Sequence, residues 1–136
     1  MNNASSNRQQ VDIALLLVRL ALAAVFIYHG YGICSAVSQF AGFTKMPIAV
    51  AWLVGGGELL GGLGMLAGVL SRIAGVGLAI IMFGAIVTYH WAHGFSITNQ
   101  GYEYVLTLLL NGLAITIAGP GKYSLEYAMA SRKTVG

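Results

Sequence analysis

The chain has 136 residues, of which 57% are hydrophobic and 8% charged, and its formal net charge is +3. A soluble domain carries about 25% charged residues, so this composition excludes a soluble cytosolic enzyme, a nucleic-acid binder and a disordered chain. A mean hydropathy of +0.77 turns the apolar residues towards lipid, and the length leaves room for about four or five helical spans in one domain.

The cations Arg8, Arg19, Lys45, Arg72, Lys122, Arg132 and Lys133 form no patch along the sequence. No nucleic-acid partner is expected from them. The one cysteine, Cys34, permits neither an internal disulfide nor a Cys-x-x-Cys redox pair.

In chain order, residues 1–11 read as a polar N-terminal tail and 12–121 as the membrane domain. The first helix is predicted at about 12–33, interrupted by Arg19 and followed by Tyr28-His29, which does not fit a cleaved signal peptide. Residues 34–46 are more polar and read as a loop or interfacial turn. Pro47 suits the first turn of a second helix, at about 47–70, with Glu58 as its only charge. After Ser71-Arg72 a third helix runs over about 73–91 without Asp, Glu, Lys or Arg. Turn residues Gly94, Asn99 and Gly101 mark 92–101 as a loop. A fourth helix covers about 102–118, Gly119-Pro120-Gly121 stops it, and 122–136 form a C-terminal tail.

Only helices or closed barrels satisfy backbone groups inside a bilayer, and these apolar runs lack strand-like alternation. The expected fold is therefore all-α, a four-helix transmembrane bundle. Arg8, Arg72, Lys122, Arg132 and Lys133 fall on one side and Lys45 alone on the other, which predicts both termini on the cytoplasmic side. The expected location is a multi-pass position in a bacterial cytoplasmic (inner) membrane. Gly57, Gly61, Gly64 and Gly68 line one face of the second helix and allow a neighbouring helix to approach closely.

Ionisable groups inside a span cost roughly 2.5–3.5 kcal/mol at the helix centre and persist when paired or used. Arg19 and Glu58 lie at depths of roughly 10 Å and 16 Å from opposite ends of their helices. An interhelical ion pair is expected from those depths. It could fix helix register or line a polar cavity that orients a ligand.

A second group gathers at the outer end: His29, His90, His93, Asn99, Tyr102 and Glu103, with Tyr28, Tyr31, Tyr89 and Trp91 around them. Three readings are open. One is an interfacial belt of amphipathic rings. Another is a site for a quinone or similar headgroup, where His supplies a group that titrates near neutrality and a carboxylate tunes it. The third is a metal site on His90 and His93 with His29 or Glu103, but the dense His/Cys spacing of such centres is missing. No metal ligand set is assigned.

The assembled residues resemble the DoxX family of small membrane proteins over about 15–127. The resemblance rests on LLLVRLALAAVFIYHG, GGGELLGGLGMLAG with Ser71-Arg72 after it, a third-helix segment ending in His, and HGFSITNQGYEYVLTLL followed by GPGKYSLE. It implies a four-helix integral membrane protein. Among the better understood members are subunits of a thiosulfate:quinone oxidoreductase and of an archaeal terminal quinol oxidase. Positions matching the family pattern are Arg19, His29, Gly30, Glu58, Arg72, His90, Asn99, Gly101, Tyr102, Glu103 and Gly121. Members commonly carry a Lys shortly after the His-Gly, where this chain reads YGICSAVS; that departure speaks against thiosulfate chemistry.

No dinucleotide fingerprint follows a strand, and no Cys-x-x-Cys-His or iron–sulfur cysteine set is present. Electrons would have to come from a redox partner subunit or a direct two-electron donor. The leading expectation is a quinone-interacting subunit of a membrane oxidoreductase. In it His90, Glu103 and His29 carry the proton chemistry, and Arg19, Glu58, Asn99 and Tyr102 hold the quinone. Glu103 is expected to position the His90 imidazole. The alternatives are a non-catalytic scaffold whose glycine face docks another subunit, and a small-molecule carrier acting as a homo-oligomer among membrane lipids.

Overall fold

The computed structural model of the chain describes residues 3–133. Helix α1 spans Asn3–Ser35, a length of about 50 Å at 1.5 Å per residue. It begins nine residues before the predicted 12. The polar stretch Asn3 to Gln10 has no Gly or Pro to break it, and extending an existing helix is easy once the nucleus has formed.

The segment expected as a loop contains helix α2, Val37–Thr44. Its Ala41 is buried and Phe40 half-buried while Ser38 and Gln39 are exposed, so one face packs and the other is solvated. Lys45 closes it in the left-handed conformation, φ 55°.

Pro47 precedes helix α3, Ile48–Ala67, and its carbonyl accepts from Val50 and Ala51 N–H. Gly68, at φ 68°, ends the helix with its N–H on the Gly64 carbonyl at 2.8 Å. Only a residue free of Cβ adopts that turn without cost. Helix α4, Ser71–Ala85, continues into a π-helical turn, Ile86–His90, and a short 3-10 turn, Trp91–His93. Helix α5 spans Glu103–Ala118. Helix α6, Leu125–Lys133, occupies most of the predicted C-terminal tail. Ser124 caps it, its hydroxyl accepting from Tyr127 N–H at 3.2 Å and donating to the Gly121 carbonyl at 2.7 Å.

Three helical segments are long and apolar enough to cross a membrane: Ser5–Ser35, Ile48–Ala67 and Ser71–His93. Helix α5 is a shorter apolar helix of 16 residues. The described residues contain no strand.

Packing pairs α1 with α3 and α4 with α5, and α3 against α4 joins the pairs. Leu22, Phe26, Met65, Leu78, Met82, Val105 and Ile115 fill the centre. Two glycine rows on α3 make this possible. Gly57 and Gly61 face Ile81 and Leu78 of α4, so the glycine face read from the sequence packs inside the chain rather than docking another subunit. The second row, Gly55 and Gly62, meets α1 at Ile33 and Ile27. A Cβ on Gly30 would come within 2.8 Å of the Gly55 carbonyl oxygen, so helices α1 and α3 touch backbone to backbone.

Candidate functional site

The buried face of α3 runs through Ala51, Gly55, Glu58, Gly62 and Met65. That spacing of four, three, four and three is one helical stripe, and Glu58 is the only polar side chain on it. Glu58 is 6% exposed, and its Oε2 has no hydrogen-bond partner. The Tyr104 phenol, on the first turn of α5, lies within electrostatic range of it. A buried polar oxygen without a donor is costly, the more so inside a span.

Arg19 does not pair with Glu58. Its side chain, 1% exposed, donates Nε to the Met65 carbonyl at 2.9 Å and Nη2 to Leu66 at 3.1 Å. Nη1 donates to the carbonyls of Pro120 at 3.0 Å and Tyr123 at 2.8 Å. The expected ion pair is thus corrected. The last turn of α3 leaves carbonyls without intrahelical donors, and a guanidinium fork satisfies them where the helix dipole also favours a cation. Arg19 therefore lies at the helix end, away from a shared cavity with Glu58.

The end of the bundle that carries the 94–102 loop is organised by backbone carbonyls. His90 Nδ1 lies 2.6 Å from the Gln100 carbonyl oxygen. A carbonyl only accepts, so Nδ1 carries the proton and the neutral ring leaves Nε2 open as an acceptor. Glu103, expected to position His90, instead has its N–H on the Phe95 carbonyl at 2.9 Å, and its carboxylate makes no hydrogen bond among the described residues. His93 Nδ1 donates to the Tyr89 carbonyl at 2.9 Å, and the Tyr89 hydroxyl donates to Gln100 Oε1 at 2.5 Å. Tyr102 stacks on Trp91, centroids 5.4 Å apart and planes 15° off parallel.

The loop that presents Gln100 is tightly closed. Tyr102 N–H donates to the Gly94 carbonyl at 3.0 Å and Gly101 N–H to Ser96 at 2.9 Å. A Cβ on Gly101 would run into the Gly94 and Phe95 carbonyl groups, so glycine is required there. The π turn Ile86–His90 precedes it; single π turns inside α-helices are frequent at functional sites.

His29 makes no contact with His90 and lies near the C-terminal end of α1. It lines a groove of about 510 Å³ with Tyr28, Tyr31, Gln39, Phe40 and Phe43. Phe43 in turn contacts the Tyr89 ring, centroids 5.4 Å apart. Asn99 is exposed, at the end of a short 3-10 turn. Among the described residues no three His, Cys, Asp or Glu side chains cluster as metal ligands. The structure thus joins His90 with Tyr102 through the 94–102 loop, which also carries the exposed Asn99, and leaves His29 outside that group.

Gln100, Tyr89, Tyr104 and Phe43 were not singled out as site residues from the sequence. Gln100 meets His90 through its backbone carbonyl, which leaves no mark in residue type, and the Tyr89 hydroxyl through its side-chain Oε1. Tyr104 is one residue beyond Glu103, and its placement next to Glu58 depends on how α5 packs.

A helical bundle with apolar, membrane-length helices and a carboxylate buried on one of them defines an integral membrane protein. The chain belongs to the DoxX family, whose family profile matches residues 14–91. It is 32% identical over 108 residues to "Putative oxidoreductase CatD" of Bacillus subtilis, covering 77% of this chain and 80% of that protein. It is 28% identical over 123 residues to an uncharacterized protein of Haemophilus influenzae, covering 84% of this chain and 82% of the other. No solved structure matches the chain.

Proposed function

We propose that the chain is a quinone-interacting subunit of a membrane oxidoreductase, built as four membrane spans with both termini on the cytoplasmic side of a bacterial inner membrane. The observation that carries the reading is Glu58, buried at mid-helix with Oε2 bonded to nothing. A hydroxyl-bearing headgroup supplies the donor this oxygen lacks. The relative named an oxidoreductase supports the same class.

The residues fit such a group. Glu58 Oε2 is an acceptor for a quinol hydroxyl at the middle of α3, and His90 Nε2 is a second, separate acceptor beside the 94–102 loop. Tyr104, 37% exposed, lies within electrostatic range of Glu58. Trp91 and Tyr102 present stacked aromatic faces beside His90. A bound quinone supplies two-electron, two-proton redox chemistry, and its electrons are exchanged with a partner subunit or a soluble two-electron donor.

The fourth span is α5. Sixteen residues reach about 24 Å, somewhat short of a hydrocarbon core of about 30 Å. Yet α5 accompanies α4 along its length. Arg72, at the start of α4, donates to the Thr116 and Ile117 carbonyls at 2.7 Å, and Trp91 stacks on Tyr102 at the other end. The orientation follows from Arg8, Arg72 and Lys122, which share one groove at the end carrying both termini, against Lys45 at the opposite end.

Equilibrium binding of a short-tailed quinol, kept reduced, to the purified protein in detergent tests the reading. Saturable binding that weakens in Glu58→Gln and in His90→Ala, with helix content unchanged, supports it. Equal binding by wild type and both variants overturns it.

A further inference from the structure

At the end opposite His90, the polar first turns of α1 and helix α6 face a common space. Between them, under the Gly119–Lys122 turn, is a groove of about 820 Å³. Three cations from three separate elements line it: Arg8 of α1, Arg72 of α4 and Lys122 of the turn. Two acids line it as well. Asp12 Oδ1 accepts from the Lys122 backbone N–H at 2.9 Å, whereas Glu126, drawn electrostatically to Arg19, has an Oε2 without a hydrogen-bond partner, so the three cations outnumber the two acids by one.

The cations retain unused donors. Arg72 has five N–H groups and spends three of them on the Thr116, Ile117 and Ala118 carbonyls. Its Nε–H and one Nη2–H form the side of the guanidinium that grips an oxyanion with two bonds. The side chains of Arg8 and Lys122 are exposed and make no hydrogen bond among the described residues. Tyr123 and Tyr127, 43% and 49% exposed, also line the groove, as aromatic rings do at headgroup level.

We infer that this groove binds a phosphate group, and specifically the headgroup phosphate of an anionic phospholipid. The unspent Arg72 edge takes two phosphate oxygens, and Arg8 and Lys122 neutralise the remaining charge. The groove opens where α5 ends and α4 begins, which is the level at which a lipid phosphate sits. An acyl chain descending from it runs along the exposed apolar residues of the spans, such as Leu17 and Ile117.

The test is native mass spectrometry of the full chain released from vesicles of equimolar phosphatidylglycerol and phosphatidylcholine. Wild type is compared with Arg8→Gln/Lys122→Gln, which leaves the Arg72 cap in place and alters only exposed side chains. The wild type retains one phosphatidylglycerol in preference to phosphatidylcholine. Retention in the double variant falls about twenty-five-fold, the effect of two interfacial cations at roughly a factor of five each. Millimolar inorganic phosphate, added against chloride of equal ionic strength, separates the sources: lipid that stays bound marks a headgroup site, and lipid that is displaced marks a site for free phosphate with the same chemistry. Equal retention of both lipids, or undiminished retention by the double variant, overturns the inference.

Discussion

The Arg19 guanidinium donates to the Met65 carbonyl at 2.9 Å, two helical turns along α3 from Glu58. Seven residues is about 10 Å of helix, so the two buried charges serve different ends. One closes a helix terminus. The other is left without a partner in the packed face of α3.

Arg19→Met leaves four carbonyls, one of them fully buried, without their donor. The expected cost is about 3 kcal/mol or more. Arg19→Lys restores only part of it, because an ammonium cannot reach both helix end and loop as a planar fork does. Thermal unfolding in detergent measures both; a Met variant as stable as wild type contradicts this role.

Glu58→Gln behaves in the opposite way. No ion pair is broken, and a costly unpaired carboxylate is removed from a span. The variant is expected to unfold no earlier than wild type while losing ligand binding. A large drop in unfolding temperature would show that Glu58 holds the bundle together.

The contact between α1 and α3 gives a paired test. Gly30→Ala drives a methyl into the Gly55 carbonyl and the Leu59 backbone, and is expected to cost about 1–3 kcal/mol as overpacking. Gly56→Ala, at the residue after Gly55 on α3 but with open space around it, is expected to gain about 0.5–1 kcal/mol. Similar unfolding temperatures for the two variants would contradict the backbone contact.

Arg72→Ala removes the donors from the last turn of α5. The expected result is faster amide exchange over the Ile115–Gly119 stretch at a cost of about 1 kcal/mol, with the α1–α3 pair unaffected. Unchanged exchange there would mean that packing against α4 alone holds the helix end.

The helical class was legible because apolar runs punctuated by Ser71-Arg72, Gly94 and Gly119 leave a strong mark in sequence, whereas Gly68, read as part of a helix face, in fact ends its helix. Glu58 was legible for a related reason: a lone carboxylate in an apolar run is conspicuous. The partner of Arg19 was not, since helix-end carbonyls belong to the backbone and any residue can supply them. The same holds for Gln100, which fixes the His90 tautomer through its carbonyl. Helix α2 was missed because Ser38, Gln39 and Thr44 look like loop residues until Ala41 and Phe40 find α3. Of the glycines, the row at 57, 61 and 64 stood out, whereas Gly55 and Gly62, which bring α1 closest, are separated by a full heptad.

The central claim is that Glu58 and His90 belong to a quinone site. Its most direct test is mass spectrometry of the organic extract of purified protein, with a Glu58→Gln/His90→Ala double variant beside it. The account predicts near-stoichiometric quinone in the wild-type extract and little in the variant. Quinone absent from both, or present equally in both, would contradict it.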